Sequence, residues 1–315
     1  MGKKIYKYFS AEVLELIFKR EGFVGIKCSL PSQYNDPYEL FLGVDTRSSP
    51  DLLATYQEIV QNLPQLPTTC FSKSPTVTPM WAHYASNHTG FVLEFDVDAL
   101  LEVFEEITVR DVVYKDAPDG SIQNCLQRVS VTKKPRHAVW LRQTVLSEAY
   151  FSKQTAWAYE QECRLVDFNE YVEEVLGNKI LFVPLDCVTA IACGKNFPEG
   201  LLNRAKTLAE AKGLNWFQAE VGKVQPSPFF ISVSGDTFSF LNGAISKTEF
   251  ICVSCSEPVL EGVELCSWCA ISDSDRLDAA RGNPFRILDH YGILENYFEE
   301  VGKIEGRRNR RPKIT

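Results

Sequence analysis

Four cysteines near the C-terminus place the strongest constraint on what this chain can fold into. They form two Cys-x-x-Cys pairs, Cys252/Cys255 and Cys266/Cys269, with ten residues between the pairs. Two such pairs at this separation can hold one ion with four thiolates, the ligand set of a structural Zn²⁺ site. Because the protein supplies all four ligands, no position is left for a catalytic water. The pattern therefore predicts a structural zinc ribbon over residues 250–272.

The remainder of the 315-residue chain is long enough for a larger domain with its own core. A hydrophobic fraction of 45% fits an ordinary folded protein, and a net charge of −8 opposes a surface built throughout for nucleic acid. The six other cysteines are scattered, which predicts thiols of a reducing compartment. The N-terminus lacks the apolar region of a signal peptide, and no run of 18 apolar residues occurs. We therefore expect a cytoplasmic protein without a membrane span.

Apolar periodicities alternate between those of strands and those of helices over residues 1–222, which predicts an α+β main domain with a mixed sheet. Strands are predicted at 5–9, 23–28, 68–72, 91–96, 109–114, 161–168, 179–184, 188–193 and 216–221. Helices are predicted at 11–20, 52–63, 79–86, 99–106, 138–151 and 199–212, and residues 115–135 are predicted as loop with some helix. Two prolines indicate a linker at 223–249. The zinc ribbon, a short helical segment at 273–302 and a basic tail at 303–315 follow.

Four polar clusters occur along the main domain. Each of the first two allows either a structural or a functional interpretation. Asp36 precedes a proline in the segment Asn-Asp-Pro-Tyr-Glu, which either forms a rigid turn or directs Glu39 into a pocket. Ser72 ends a predicted strand. It is either an ordinary strand-end serine or a residue whose hydroxyl binds a ligand.

The two later clusters are richer in ionisable groups. His83 and His88 lie five residues apart, and without a nearby acidic ligand we favour structural or substrate-contact roles over a metal. Glu160 and Glu162 are predicted on one face of a strand together with Arg164. They form either a surface ladder of charge pairs or a carboxylate pair for sugar chemistry, in which one acid stabilises an oxocarbenium-like transition state.

Taken in order, these clusters resemble a bacterial family known as domain of unknown function 2971. The matching motifs are Tyr-Lys-Tyr at 6–8, Asn-Asp-Pro-Tyr-Glu at 35–39, Cys-Phe-Ser at 70–72, Trp-x-His-Tyr at 81–84 with His88 and Gly90, and Trp-x-x-Glu-x-Glu-x-Arg at 157–164. The resemblance covers about residues 3–220, and the family name implies no activity.

The main domain also shows a more distant similarity to ADP-ribosyltransferases, which carry an Arg or His, a Ser or Tyr, and a Glu on successive strands. That similarity implies that Glu162 binds the ribose of NAD and stabilises the oxocarbenium ion, that Glu160 acts on the acceptor, and that Ser72 orients the nicotinamide ribose. It places the NAD contacts at Tyr6, Lys7, Trp81, His83 and Tyr84. The first strand offers a lysine, where the family has Arg or His.

The resulting hypothesis is an NAD-dependent ADP-ribosyltransferase-like effector of a bacterial toxin or phage-defence system. One alternative is a non-enzymatic regulatory protein that binds a nucleotide or nucleic acid. A second is a metal-dependent nuclease that uses Asp36, Glu39, Glu160 and Glu162. Trp268 in the ribbon and the arginines of the basic tail suggest a nucleic acid or protein partner for the C-terminal part.

Overall fold

The chain folds as two compact units, Met1–Glu249 and Phe250–Thr315. The structure, a computed structural model, describes residues 2–34, 44–45, 47–61, 64–105, 107–118, 120–167 and 171–309. The Asp36 and Glu39 cluster lies outside these ranges. Helices and a mixed curled sheet share the first unit, which confirms the α+β class. Within the described ranges, no helix combines the length and apolar character that crossing a membrane requires.

The first unit contains fifteen described strands and seven described α-helices. The strands are β1 (Lys4–Phe9), β2 (Phe23–Cys28), β3 (Thr68–Ser72), β4 (Phe91–Asp96), β5 (Thr108–Asp111), β6 (Val113–Tyr114), β7 (Ser152–Lys153), β8 (Glu162–Val166), β9 (Val172–Val175), β10 (Asn178–Pro184), β11 (Val188–Cys193), β12 (Asn215–Glu220), β13 (Phe229–Ser232), β14 (Thr237–Leu241) and β15 (Ala244–Lys247). The helices are α1 (Leu14–Ile17), α2 (Pro50–Val60), α3 (Thr78–Tyr84), α4 (Val97–Val103), α5 (Gly120–Thr132), α6 (Pro135–Phe151) and α7 (Glu199–Ala211).

A ten-stranded sheet organises this unit, in the order β15-β14-β13-β12-β11-β4-β1-β3-β8-β5. Its neighbours are antiparallel except β11 and β12, which run parallel and are joined by helix α7. This is expected, because a parallel pair needs a crossover connection. A three-stranded sheet β2-β10-β9 and the short parallel pair β6-β7 complete the strands.

Side-chain alternation along β1 divides the core between the two faces of the large sheet. Ile5 and Phe9 point into the main core, which the three-stranded sheet and α7 cover. Tyr6 and Tyr8 point to the opposite face and pack with Trp81 of α3. A third apolar cluster joins α5 and α6 to α2. The middle strands are thus buried on both faces and hold the site described below.

Two predictions about regular structure were wrong. The predicted linker at 223–249 instead extends the sheet with β13, β14 and β15, and Asn242-Gly243 forms the two-residue turn between the last two, both residues having positive φ. Residues 11–20 hold a 3₁₀ turn and a single helical turn rather than a full helix. The segment at 115–135, predicted as loop with some helix, contains the 13-residue helix α5.

The C-terminal unit begins with the cysteine pairs and continues as three helices, α8 (Asp273–Arg281), α9 (Pro284–His290) and α10 (Leu294–Asn309). Ser272 caps α8 through a reciprocal bond with Asp275. Helix α10 runs into the predicted basic tail, so the backbone of Arg307 and Arg308 is helical; the last six residues lie outside the described ranges.

A tight turn between α3 and β4 depends on two glycines. Ser86, Asn87 and His88 all have positive φ, between 48° and 67°, and this left-handed run brings the chain back against β1 and β11. A Cβ on Gly90 would lie 2.0 Å from the carbonyl oxygen of Phe9, and one on Gly194 would lie 2.3 Å from that of His88. Backbone atoms block both positions, so no side chain fits there.

We expect Gly194→Ala to lower the free energy of unfolding by about 1–3 kcal/mol, the usual cost of forcing an extra carbon into a packed site. Gly200→Ala is the matched control, because a Cβ there meets nothing within 4 Å and lies in helix α7. Urea unfolding followed by tryptophan fluorescence measures both. Equal midpoints for the two variants would contradict the close approach of the backbones.

Candidate functional site

A cavity of about 220 Å³ opens where β1 and β3 separate. These strands are paired only at Tyr6 and Ser72, and the other end of β3 is bridged to Ser29, just beyond β2. In the gap, the amino group of Lys7 donates to the carbonyl oxygen of Cys70 over 2.9 Å. Because the strands part here, side chains from both faces of the sheet reach one cavity.

Three predicted site residues form a row across neighbouring strands. Tyr6 on β1 is paired with Ser72 on β3, and Ser72 is paired with Glu162 on β8. Residues paired directly across strands share a face of the sheet. All three line the cavity, and so do Lys7, Tyr84 and Glu160.

The strand predicted at 161–168 is shorter, and Glu160 is not on it. Glu160 ends a 3₁₀ helix, Thr155–Glu160, and Glu162 begins β8. Between them Gln161 has φ 47° and ψ 47°, a left-handed conformation. This single residue forms the turn between the 3₁₀ helix and β8. The two carboxylates therefore meet through a turn and not through strand alternation.

Two cations hold the glutamates together in a buried cluster that we call the glutamate end of the cavity: Lys153, Glu160, Glu162 and Arg164. The Lys153 Nζ lies 2.7 Å from Oε2 of Glu160 and 3.3 Å from Oε2 of Glu162. Arg164 binds Glu162 with two donors, Nε to Oε1 at 2.7 Å and Nη2 to Oε2 at 3.1 Å. All four residues are between 1% and 8% exposed. Charges buried to this degree need such pairing.

The cluster fixes the ionisation of Glu162. Burial alone raises the pKa of this carboxyl, but the Arg164 guanidinium and the Lys153 ammonium outweigh it and lower the pKa to about 2. The backbone N–H of Glu162 also donates to the hydroxyl of Tyr114 over 2.7 Å. Tyr84 donates to Glu160 over 2.6 Å, and burial followed by that carboxylate raises the Tyr84 pKa. Near neutral pH, Glu162 is therefore a fixed anion.

Two predicted cofactor contacts, Trp81 and His83, do not line the cavity. Helix α3 turns Trp81 into the core, where its indole donates to the carbonyl oxygen of Pro75 over 2.8 Å and its ring stacks on His88. His83 is exposed, with its ring centroid 6.4 Å from that of Tyr159. Trp81 and Tyr84 are three positions apart and are neighbours on α3, with Tyr84 at the cavity and Trp81 in the adjoining core, whereas His83 is exposed.

Tyr6 and Lys7 both line the cavity, but they differ in how far their polar groups are already hydrogen-bonded within the protein. The Tyr6 hydroxyl donates to Glu94 Oε2 over 2.8 Å, and burial followed by that carboxylate raises its pKa. Burial lowers the pKa of Lys7. Its ammonium lies 5.5 Å from the Phe71 ring centroid. Tyr6 is thus committed to a neighbouring carboxylate, whereas Lys7 bonds only a carbonyl oxygen among the described residues.

Two side chains of the cavity were not among the predicted site residues: Lys153, and Trp157, which was recognised only as part of the motif at 157–164. Lys153 follows helix α6 in the two-residue strand β7, too short to show any periodicity. Trp157 lines the cavity from the 3₁₀ helix, and the Lys153 ammonium lies 4.8 Å from its ring centroid. A basic residue within ten positions of the Glu-x-Glu motif was the available signal for Lys153.

The four cysteines of the C-terminal unit are arranged to bind one metal ion. Their Sγ atoms all lie within 4.8 Å of one another, and those of Cys255 and Cys266 are 3.8 Å apart. Four thiolates at about 2.3 Å from a tetrahedral Zn²⁺ would be about 3.8 Å apart. No other group of three metal-binding side chains occurs among the described residues. The donor set fits zinc, and Trp268 beside it is exposed.

The lowered pKa of Glu162 predicts a specific acid sensitivity. A carboxyl whose folded-state pKa falls from 4.5 to about 2 stabilises the fold by roughly 3 kcal/mol above its unfolded pKa, and this is lost as pH falls through that interval. Glu162→Gln removes the titrating group. The difference in unfolding free energy between wild type and variant should therefore shrink between pH 5 and pH 2, as measured by urea titration. A difference independent of pH would contradict the ion pairing.

For the cysteine cluster we expect one zinc per chain in purified protein, measured by mass spectrometry, and none in Cys252→Ser. Cys125→Ser is the matched control, because that half-buried thiol lies in the main unit, beside the Thr144 hydroxyl and against the cluster of α5 and α6. The control should keep its zinc. A metal-free wild type with a protease-resistant C-terminal unit would overturn the assignment.

Comparison with known proteins adds a family resemblance for the middle of the chain. Residues 80–165 match the family described as "Protein of unknown function (DUF2971)". No curated protein and no solved structure matches the chain. The match covers the segment that supplies Tyr84, Lys153, Glu160, Glu162 and Arg164, and it links the chain to no ADP-ribosyltransferase. The glutamate end thus lies in a region similar to a family whose described function is unknown.

Proposed function

We propose that the main unit is an NAD-dependent ADP-ribosyltransferase-like enzyme whose reaction takes place at the glutamate end. The observation that carries the proposal is the convergence of Tyr6, Ser72, Glu160 and Glu162 on one cavity with an ionised carboxylate at its wall. A developing positive charge on a sugar is stabilised by a fixed anion in a water-poor site. Glu162 supplies such an anion.

In the proposed reaction, the bond between C1′ of the ribose and the nicotinamide nitrogen breaks, and nicotinamide leaves with the bonding electrons. The Glu162 carboxylate stabilises the oxocarbenium ion, and an acceptor O–H or N–H adds to C1′. Glu160 takes the acceptor's proton, so charge and atoms balance. With water as acceptor, the products are ADP-ribose, nicotinamide and a proton.

The neighbouring side chains suit this division of roles. Lys153 and Arg164 keep Glu162 ionised, whereas Glu160 is bonded by Lys153 and by the neutral hydroxyl of Tyr84. Trp157 borders the same cavity and offers an aromatic face for the nicotinamide ring. A bacterial toxin or phage-defence role, with a nucleic acid or protein partner at the C-terminal unit, belongs to the same proposal.

A second candidate is a regulatory protein that binds a nucleotide without cleaving it. One observation favours it, because the Glu162 oxygens already accept bonds from Arg164 Nε and Nη2 and from Lys153. A carboxylate saturated in this way has less capacity to respond to a transition state. The nuclease alternative adds Asp36 or Glu39 as further metal ligands, and both lie outside the described residues.

The deciding experiment incubates the purified protein with adenylate-labelled NAD and whole-cell protein, RNA and DNA, and measures both label transfer and released nicotinamide. Glu162→Gln keeps the size of the side chain and removes its charge, and we expect a loss of about 10²–10³-fold in rate. Glu220→Gln is the matched control, since that carboxylate pairs with Lys195 away from the cavity.

Neither transfer nor nicotinamide release by folded wild type would reject the transferase. Calorimetric binding of NAD by the same inactive protein would then support the nucleotide-binding candidate. Cleavage of the added nucleic acid that depends on Mg²⁺ would instead support the nuclease.

A further inference from the structure

The other end of the cavity carries polar groups that the proposed chemistry does not use. We call it the lysine end and define it by Lys7, Lys27, Ser29 and Thr69, all of which line the cavity. Lys27 and Ser29 are two residues apart along β2 and its extension, so their side chains share a face. Thr69 precedes Ser72 by three positions on β3, about 10 Å along the strand.

The Thr69 hydroxyl is the first sign of a ligand. Thr69 is 1% exposed, and its Oγ1 has no hydrogen-bond partner among the described residues. A buried hydroxyl without a partner is costly, and native proteins satisfy most such groups. The residue lines the cavity, although less than 1 Å² of the hydroxyl oxygen itself is accessible, so a bound molecule that displaces the atoms covering it would supply the acceptor that the fold does not.

Lys7 is the second sign. An ammonium group has three donors, and the Cys70 carbonyl oxygen is the acceptor found for Lys7 among the described residues. Its other near neighbours are the rings of Phe9 and Phe71, at 6.0 and 5.5 Å. Burial outweighs the attraction of the Glu162 carboxylate and lowers the Lys7 pKa, so an anion closer to the ammonium would stabilise it further.

The charge balance of the cavity wall is the third sign. At the glutamate end, two cations balance two carboxylates. At the lysine end, Lys7 and Lys27 form no ion pair with any described residue, and no carboxylate lines that end. The described wall as a whole therefore carries four cations and two carboxylates, an excess of two positive charges.

We propose that the lysine end is a phosphate subsite, in which Lys7, Lys27 and the hydroxyls of Thr69 and Ser29 bind the phosphate groups of a nucleotide whose sugar lies at the glutamate end. The nucleotide identity rests on the proposed function, whereas the anion site does not. A cavity of about 220 Å³ is below the usual 300–1,000 Å³ of ligand pockets, so it encloses a ribose and its phosphates while the rest of a dinucleotide extends outside.

The test compares ligands that differ by a single phosphate. Calorimetry should show nicotinamide mononucleotide binding at least about tenfold more tightly than nicotinamide riboside, the gain expected of charge-assisted hydrogen bonds. Inorganic pyrophosphate should bind as well and compete with the mononucleotide. Lys7→Met and Lys27→Met should each reduce the preference for the phosphorylated ligand, whereas Lys212→Met should not, because that half-buried lysine caps α7 and does not line the cavity.

Thr69→Val separates a binding role from a structural one. The substitution removes an unpartnered buried hydroxyl at nearly constant shape, so the free protein should be as stable as wild type or more stable. Its affinity for pyrophosphate and for the mononucleotide should nevertheless fall, while its affinity for the riboside should not change. Lower stability together with unchanged pyrophosphate affinity would overturn the assignment of Thr69.

The outcomes keep this inference distinct from the proposed enzyme. Pyrophosphate binding that is lost in Lys7→Met, without any nicotinamide release from NAD, would retain the phosphate subsite and reject the transferase. Nicotinamide release with equal affinity for mononucleotide and riboside would retain the transferase and reject the subsite. No binding of pyrophosphate or mononucleotide by folded wild type would also reject the subsite.

Discussion

The buried cluster of Lys153, Glu160, Glu162 and Arg164 is the interaction on which the organisation of the main unit depends. Each charge costs several kcal/mol to remove from water, and only its partners offset that cost. The partners come from the strand after α6, from a 3₁₀ helix and from β8. Arg164 further donates to the carbonyl oxygen of Tyr150, near the end of α6, so the charge network and the helix end stabilise each other. Moving any one of these elements would leave a charge unpaired.

The cluster also makes the two ends of the cavity differ in charge. At one end two cations balance two carboxylates, and at the other, where β1 parts from β3, Lys7 and Lys27 form no ion pair with any described residue. A strand pair that continued past Tyr6 and Ser72 would close the gap and bury Lys7 entirely against the sheet. The interruption of the sheet is therefore what creates a site, and the ammonium of Lys7 replaces part of the missing backbone ladder. An asymmetric ligand would bind in one orientation only.

Local periodicity sufficed to predict most of the sheet, but the parts that depend on distant contacts could not be predicted. The strands at 23–28, 68–72, 91–96 and 188–193 match their predicted bounds, because each is a short apolar run between turn residues. The strands after residue 223 lie where Pro226 and Pro228 predicted a linker, and the Asn242-Gly243 hairpin signal played no part in that prediction. The motif order brought Tyr6, Ser72 and Glu162 together as expected. Trp81 was predicted as a cofactor contact but lies in the core, because a helical motif does not reveal which of its side chains reaches a cavity. Lys153 was missed because its ion-pair partners depend on tertiary packing.

The left-handed residue between the two glutamates has a consequence for how related sequences can be recognised. Gln161 occupies a conformation that glycine, asparagine and aspartate adopt with less strain than β-branched residues. In a Glu-x-Glu motif on a regular strand, by contrast, the middle position favours valine, isoleucine or threonine. The identity of the middle residue therefore distinguishes the two geometries in sequence alone. A distant sequence with Glu-Gly-Glu or Glu-Asn-Glu at this place is compatible with the same turn, whereas Glu-Val-Glu indicates a different arrangement of the same carboxylates.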